Sequence, residues 1–259
     1  MVERAAAAGV AALAIVDHDV VSGLADAQVA GQRLGVEVVA GIELTARWRG
    51  RTCHVLGYFL DPAEPRLVAA LERARAAAAA AVDAGLALLR ARGHDLSHDD
   101  LARYRTRYPT PTTLLLAMVQ RRLVRTRADL ATLLGALRGG TPPWTAAEAI
   151  VLVHGAGGAA ALAHPGRRGG RGPFDAAVLR ELAGFGLDGV EVDHPAHRPE
   201  QRAEYAAIAA ELDLVATGGS DWHGRERDAP PGSLGVDGAG LAALRGRAER
   251  WQADARASP

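Results

Sequence analysis

The chain has 259 residues, with 30 basic and 30 acidic side chains and a formal net charge of zero. That balance gives no overall field to favour nucleic acid or an anionic membrane, and the length suits one α/β barrel-sized domain or a core with an insertion. Cys53 is the single cysteine, which excludes a disulfide framework and predicts a cytoplasmic protein, and no apolar run approaches the roughly 20 residues of a membrane span.

Val2 to Ala8 reads as a helix closed near Gly9. Ala11 to Val16 is a short apolar run that stops abruptly at Asp17-His18-Asp19. An apolar run flanked by helices reads as a buried parallel strand. Polar residues at the C-terminal end of such a strand lie where α/β folds put their chemistry. Leu24 to Leu34 is a helix capped by Gly35, and Val36 to Gly41 is a strand leading into Ile42-Glu43-Leu44-Thr45. Arg51 to Leu60 is a third strand with His54 inside it.

The texture changes at Asp61-Pro62. From Glu64 to Pro143 the pattern is helical, with helices over Leu67–Arg92, Pro111–Leu123 and Ala128–Leu137, and Gly139 to Pro143 is a linker by its turn chemistry. The predicted organisation is therefore a core of residues 1–63 and 144–259 interrupted by a helical cap, 64–143. The core resumes with a helix over Thr145–His154, a strand over Ala159–Ala163 ending in His164-Pro165-Gly166, and a helix over Phe174–Ala183. A strand over Gly189–Val192, a helix over Pro199–Leu212, a strand over Leu214–Thr217 and a helix over Ala239–Trp251 complete the chain.

Successive strands deliver His18, Glu43, His54, His164, Glu191 with Asp193, and Asp221 with His223. A lone strand-end histidine is usually a hydrogen-bonded structural residue, His-Pro-Gly alone is a turn, and Asp221 after Gly-Gly-Ser fits a helix cap. The coincidence at one strand end after another is what points to a shared site, because parallel strands bring those ends to one face. Imidazole and carboxylate together suit zinc, manganese or iron, and a carboxylate can bridge two ions. His94 and His98 lie in a polar turn and His154 closes a helix, where it meets the dipole favourably; none of the three is assigned to the site.

These motifs carry a resemblance. Asp17-His18-Asp19 with Ser22-Gly23, Gly41-Ile42-Glu43, His54-Val55-Leu56-Gly57-Tyr58, Ala163 to Arg167, and Gly218 to Gly224 resemble, in order, the PHP (polymerase and histidinol phosphatase) family. The nearest branch is that of stand-alone phosphoesterases acting on nucleotides and short RNA. The resemblance implies an α/β fold, a distorted seven-stranded TIM-like barrel with a helical cap, and two or three divalent ions (Mn, Zn or Fe) at its C-terminal face. It implies His18 and His223 on one ion, Glu43 bridging two of which one is also held by Asp221, and His54 with His164 completing the third. Asp19 would orient a ligand or water as a catalytic residue, and Arg167 and His197 would contact substrate.

Two departures stand out. The family opens with a strand ending in His-x-His and a nearby acidic residue, and this sequence starts directly in a helix; a misplaced start, a fragment and a loss of activity are the three explanations. Where the branch carries Arg-Pro-His in its cap, this chain reads Tyr108-Pro109-Thr110-Pro111-Thr112. The chemistry implied is attack of activated water on a small phosphate ester, a nucleotide or RNA end in preference to a long duplex. The alternatives are a small-metabolite phosphatase of the histidinol-phosphate type and an inactive metal-binding domain.

Overall fold

The structure, a computed structural model, describes all residues except 103, 105–108, 124–125, 127–143, 168–173 and 258–259. The helix predicted over Ala128–Leu137 and the linker after it lie outside the described residues. Contacts divide the chain into two compact units, Met1–Val68 with Trp144–Pro259, and Ala69–Pro143.

The first unit is a mixed α/β layer. Its elements are α1 (Val2–Ala7), β1 (Ala12–Ile15), α2 (Leu24–Leu34), β2 (Glu37–Trp48) and β3 (Arg51–Tyr58), then the start of α3 (Pro65–Ala91), which runs on into the second unit. In the second unit α4 (His98–Ala102) and α5 (Pro111–Gln120) follow, and no strand occurs among its described residues. The first unit resumes with α6 (Ala146–Gly155), β4 (Ala159–Leu162), α7 (Ala176–Gly184), β5 (Gly189–Asp193), α8 (Pro199–Glu211), β6 (Val215–Gly218) and α9 (Gly238–Ala257). None of the described helices is long and apolar enough to cross a membrane.

The six strands form one curled sheet in sequential order, β1 to β6. The expectation of parallel strands throughout is corrected at β3, which runs antiparallel to both β2 and β4. The reason is the connection. Only Arg49 and Gly50 link β2 to β3, and both have positive φ, 48° and 75°. Two such residues make the hairpin turn whose twist matches antiparallel strands, whereas a parallel partner needs a crossover of a dozen residues or more. β2 is also longer than the predicted strand, running on through Glu43 to Trp48. The remaining pairs, β1–β2, β4–β5 and β5–β6, are parallel.

Local signals explain the boundaries. Thr145 and Glu148 form a reciprocal cap on α6, with Thr145 N donating to Glu148 Oε2 at 2.6 Å. Asp175 caps α7 by accepting from Val178 N at 3.0 Å. Gly35 closes α2 in the left-handed conformation. β4 is built from Ala159, Ala160, Ala161 and Leu162, all fully buried, and its small residues let Leu244 and Ala248 of α9 pack against it alongside Tyr58 and Val215. A Cβ on Gly41 would lie 2.7 Å from Gly57 O and 2.8 Å from Val16, so glycine there lets β2 sit close to its neighbours just before Glu43.

The second unit has its own core, in which Val82, Leu86 and Leu89 of α3 pack with Leu96, Leu101, Leu114, Ala117 and Met118. Thr110 caps α5, with Pro111 at its first turn, where a missing N–H costs nothing.

Candidate metal centre

Glu43 sits at the middle of the site. The β1–β2 ladder breaks after Ile15 and resumes as a single bridge between His18 and Glu43, held by Glu43 N to Asp17 O (3.1 Å) and Asp19 N to Glu43 O (3.0 Å). Paired residues of neighbouring strands point to the same face, so His18 is set beside Glu43. Across the hairpin Glu43 opposes Leu56 and Thr45 opposes His54. His54 is thus the diagonal neighbour of Glu43 on one face, within side-chain reach. Because β3 is antiparallel, its N-terminal half, not its end, lies level with the C-terminal ends of the parallel strands. Ala163 N then donates to His54 O at 3.0 Å and brings His164 alongside.

The distances are short. Glu43 Oε1 lies 2.7 Å from His54 Nδ1 and 3.2 Å from His164 Nε2, and those two nitrogens are 3.2 Å apart. Glu43 Oε2 lies 3.6 Å from His18 Nε2. Ligand atoms about 2.0–2.1 Å from a tetrahedral zinc-sized ion are separated by about 3.3 Å. The donor set of two imidazoles and one carboxylate at such spacing fits a divalent ion. Among the described residues, His18, Glu43 and His54 also offer three ligand atoms within 4.8 Å of one another.

Asp221 and His223 follow β6. His223 Nδ1 donates to Asp221 O at 2.7 Å, which leaves Nε2 with its lone pair for a ligand. The His18 and His223 rings have centroids 6.1 Å apart. Asp228 Oδ2 accepts from His223 N (2.8 Å) and Arg225 N (2.9 Å) and so shapes this loop. Asp19 Oδ1 accepts from Thr45 N at 2.7 Å. Asp19, His164 and Asp221 all have positive φ, 53°, 29° and 49°. Such backbone strain at non-glycine residues costs of order 1 kcal/mol each and clusters at functional sites.

Burial and charge set the protonation. Burial opposes the charge on Glu43, but hydrogen bonds to His164 and His54 and the nearby His18 outweigh it and hold the carboxyl well below its usual range. Burial lowers His18, against the pull of Glu43, and raises Asp19, against the Thr45 N–H. Cys53, on the other hand, is buried and its thiol is pushed up to about 12, which removes it as a nucleophile.

Arg167 is largely exposed, with Nη1 3.9 Å from Asp221 Oδ2. His197 is buried and spends both nitrogens within the chain: Nδ1 donates to Val192 O (2.9 Å) and Nε2 accepts from Gly166 N (3.0 Å). It therefore pins the His164-Pro165-Gly166 turn and has no free nitrogen to offer a substrate. Asp193 is likewise engaged, with Arg202 Nη1 at 2.8 Å and Gly235 N at 3.1 Å. His154 lies elsewhere, bonded to Asp188 at 2.9 Å and stacked on Trp251.

Two residues of the site were given no role from sequence. His194 is buried, 3.5 Å from Asp221; its neighbours in sequence do not reveal that partner, because Asp221 comes from the loop after β6. Glu191 is buried in β5 and accepts from His164 N at 2.7 Å. A glutamate between Val190 and Val192 in a buried strand was the available signal. Burial raises its carboxyl from 4.5 to about 7. Between those values the folded chain holds a proton that the unfolded chain has lost, so stability falls as pH rises through this window. Glu191→Gln is expected to remove the fall in the chelator-treated chain. Urea midpoints at pH 5 and pH 8 should show the variant gaining up to about 3 kcal/mol relative to wild type across the window. Parallel pH profiles would count against a proton on Glu191.

No family model matches the chain. Curated relatives do. A 3',5'-nucleoside bisphosphate phosphatase of Chromobacterium violaceum is 32% identical, covering 89% of this chain and 86% of that protein. A phosphoribosyl 1,2-cyclic phosphate 1,2-diphosphodiesterase of Eggerthella lenta is 34% identical, covering 87% of each chain. A 5'-3' exoribonuclease of Haemophilus influenzae is 30% identical, covering 86% of this chain and 83% of that one. The crystal structure of a protein of Bifidobacterium adolescentis, proposed to be a metal-dependent phosphoesterase, superposes with a TM-score of 0.79 at 29% identity, over 95% of this chain and 89% of that chain. With these relatives spanning nearly its whole length, the chain belongs to their family of phosphoesterases and is a metal-dependent hydrolase of phosphate esters.

Proposed function

We propose that this protein is a PHP-type phosphoesterase that hydrolyses phosphate esters of nucleotides or short oligoribonucleotides. The observation that carries the reading is the convergence of His54 and His164 on one carboxylate oxygen of Glu43, at 2.7 and 3.2 Å. In this reading Glu43, His54 and His164 would hold one divalent ion, His18 and His223 would serve a second, and Asp221 with Glu43 would serve a third. The architecture that goes with it is the distorted seven-stranded barrel of that family, of which the six described strands form a part. When bound, such ions lower the pKa of water and neutralise phosphate charge. The chain's own residues do the rest. Asp19, tied to Thr45 N, fixes the loop that carries His18. The Asp221 carbonyl holds His223 in the tautomer with Nε2 free. Arg167, exposed at the rim, offers its planar fork to a phosphate oxygen.

The nucleotide and RNA substrates of the Chromobacterium and Haemophilus relatives support the substrate class. The Eggerthella relative, which acts on a cyclic sugar phosphate, supports a second reading, a phosphodiesterase on a small sugar ester. The test is chromatographic analysis of the products (inorganic phosphate, nucleoside monophosphate or ring-opened sugar phosphate) that the Mn²⁺- or Zn²⁺-loaded chain forms from a nucleoside 3',5'-bisphosphate, a 5'-phosphorylated short RNA, a 1,2-cyclic phosphoribosyl ester and histidinol phosphate. A bisphosphate or the RNA is expected to lead by about tenfold or more in kcat/KM, a margin of about 1.4 kcal/mol. A lead for the cyclic ester or histidinol phosphate would overturn the assignment.

A further inference from the structure

The loop after β5 holds a buried histidine whose donor is aimed at the site. The backbone of His194 is fixed on both sides: Arg202 Nη2 donates to its carbonyl at 3.1 Å, His197 N donates to the same oxygen at 3.0 Å, and Arg202 Nη1 pairs with Asp193. Its ring is fixed too. Ala196 N donates to Nδ1 at 3.0 Å, so the neutral ring carries its proton on Nε2. A protonated Nε2 has no lone pair and cannot ligate a cation. That nitrogen is buried and makes no hydrogen bond, an arrangement that native proteins avoid unless the group has a use. The carboxylate it faces is Asp221, with Oδ2 at 3.5 Å, an ion-pair distance about half an ångström longer than a good hydrogen bond.

Asp221 is free to close that gap. Its side chain is a quarter exposed. Its other neighbours stand further off, Arg167 Nη1 at 3.9 Å from Oδ2 and His223 Nδ1 at 3.6 Å from Oδ1. We infer that His194 is the positioning residue of Asp221: its Nε2–H donates to Oδ2, sets the rotation of the carboxylate and leaves Oδ1 to bind the cation. The inference rests on the metal-dependent reading of Asp221 given above, and it assigns His194 itself neither to the ion nor to the substrate. Residues that orient a ligand in this way typically contribute about 10- to 100-fold in metal affinity.

The test uses the full chain in two measurements. In metal-free chain labelled with ¹⁵N-histidine, long-range ¹H–¹⁵N spectra are expected to show His194 as the Nε2–H tautomer, with its Nε2 resonance shifted in Asp221→Asn. A proton on Nδ1, or a resonance indifferent to Asp221→Asn, overturns the inference. Zn²⁺ titration by calorimetry is then compared for wild type, His194→Phe and His194→Gln. The phenylalanine keeps the ring without a donor, and the glutamine amide restores an N–H near Nε2. Zinc binding is expected to be about 10- to 100-fold weaker in His194→Phe and within about threefold of wild type in His194→Gln. Wild-type affinity in His194→Phe, or equal losses in both variants, overturns it. Should His194→Phe not fold, the spectra and the His194→Gln affinity decide alone. A wild-type chain that binds zinc and shows the expected spectra yet hydrolyses neither the nucleoside bisphosphate nor the short RNA would refute the proposed substrate class and leave the role of His194 standing.

Discussion

Glu43→Gln is expected to lower kcat/KM for the best phosphate ester by about a thousandfold, equivalent to about 4 kcal/mol of transition-state stabilisation. Glutamate and glutamine are nearly the same size, and the Glu43 side chain is buried among His18, His54 and His164, so the substitution adds no bulk and opens no cavity. What changes is the charge and the polarity of one atom. Oε1 accepts at the point where His54 and His164 meet, and Oε2 faces His18. An amide NH₂ in either place turns an acceptor into a donor, and the negative charge that draws a cation there is gone. The wild-type carboxyl is held below its usual range, so it contributes stability above about pH 4.5 that is lost as pH falls through the depressed folded value. The variant lacks that contribution at neutral pH, so both proteins are compared well below their melting temperatures, with circular dichroism confirming the fold. A variant that keeps a tenth or more of wild-type activity would remove Glu43 from the centre of the mechanism.

Divalent metal is expected to stabilise the chelator-treated chain strongly. An ion that binds only the folded state, present at about a thousand times its dissociation constant, adds about 4 kcal/mol. For a domain of this size each kcal/mol moves the melting temperature by about 2–4 °C, so Mn²⁺ or Zn²⁺ should raise it by about 8–16 °C. The groups that come together are spread over the chain, from His18 to His223, and no such cluster exists once it unfolds. The shift should shrink as pH falls, because imidazoles bind metal only when neutral. Burial already lowers the pKa of His18, so its proton competes little at pH 7. Differential scanning fluorimetry with and without metal, in wild type and in Glu43→Gln, measures the effect. A melting temperature unmoved by metal, or moved equally in the variant, would separate the stabilisation from this site.

How much of this was legible in the sequence follows from the range of the forces involved. The positions of the six strands and most of the described helices could be read because hydrophobic period, caps and turn residues act over a few neighbours. Gly35 after α2, Thr145 with Glu148 on α6 and Pro111 at α5 are signals of that kind. So was the set of ligand-type residues at strand ends, since a histidine or carboxylate where an apolar run stops is visible without a partner. The direction of β3 was decided by the two-residue turn at Arg49-Gly50, and it changes why His54 belongs with Glu43: a residue early in an antiparallel strand lies level with the ends of parallel ones. The occupation of His197 by Val192 O and Gly166 N, the raised carboxyl of Glu191 and the aim of His194 at Asp221 were not readable at all. Each depends on burial and on atoms brought in from other strands, and desolvation is a property of the assembled surroundings, not of a residue type. Which chemical groups are present and roughly where each element begins can be read residue by residue; which of those groups face one another, which ring nitrogens are left without a bond and which carboxyl is pushed up follow from long-range packing, because each depends on atoms from strands far apart in the chain.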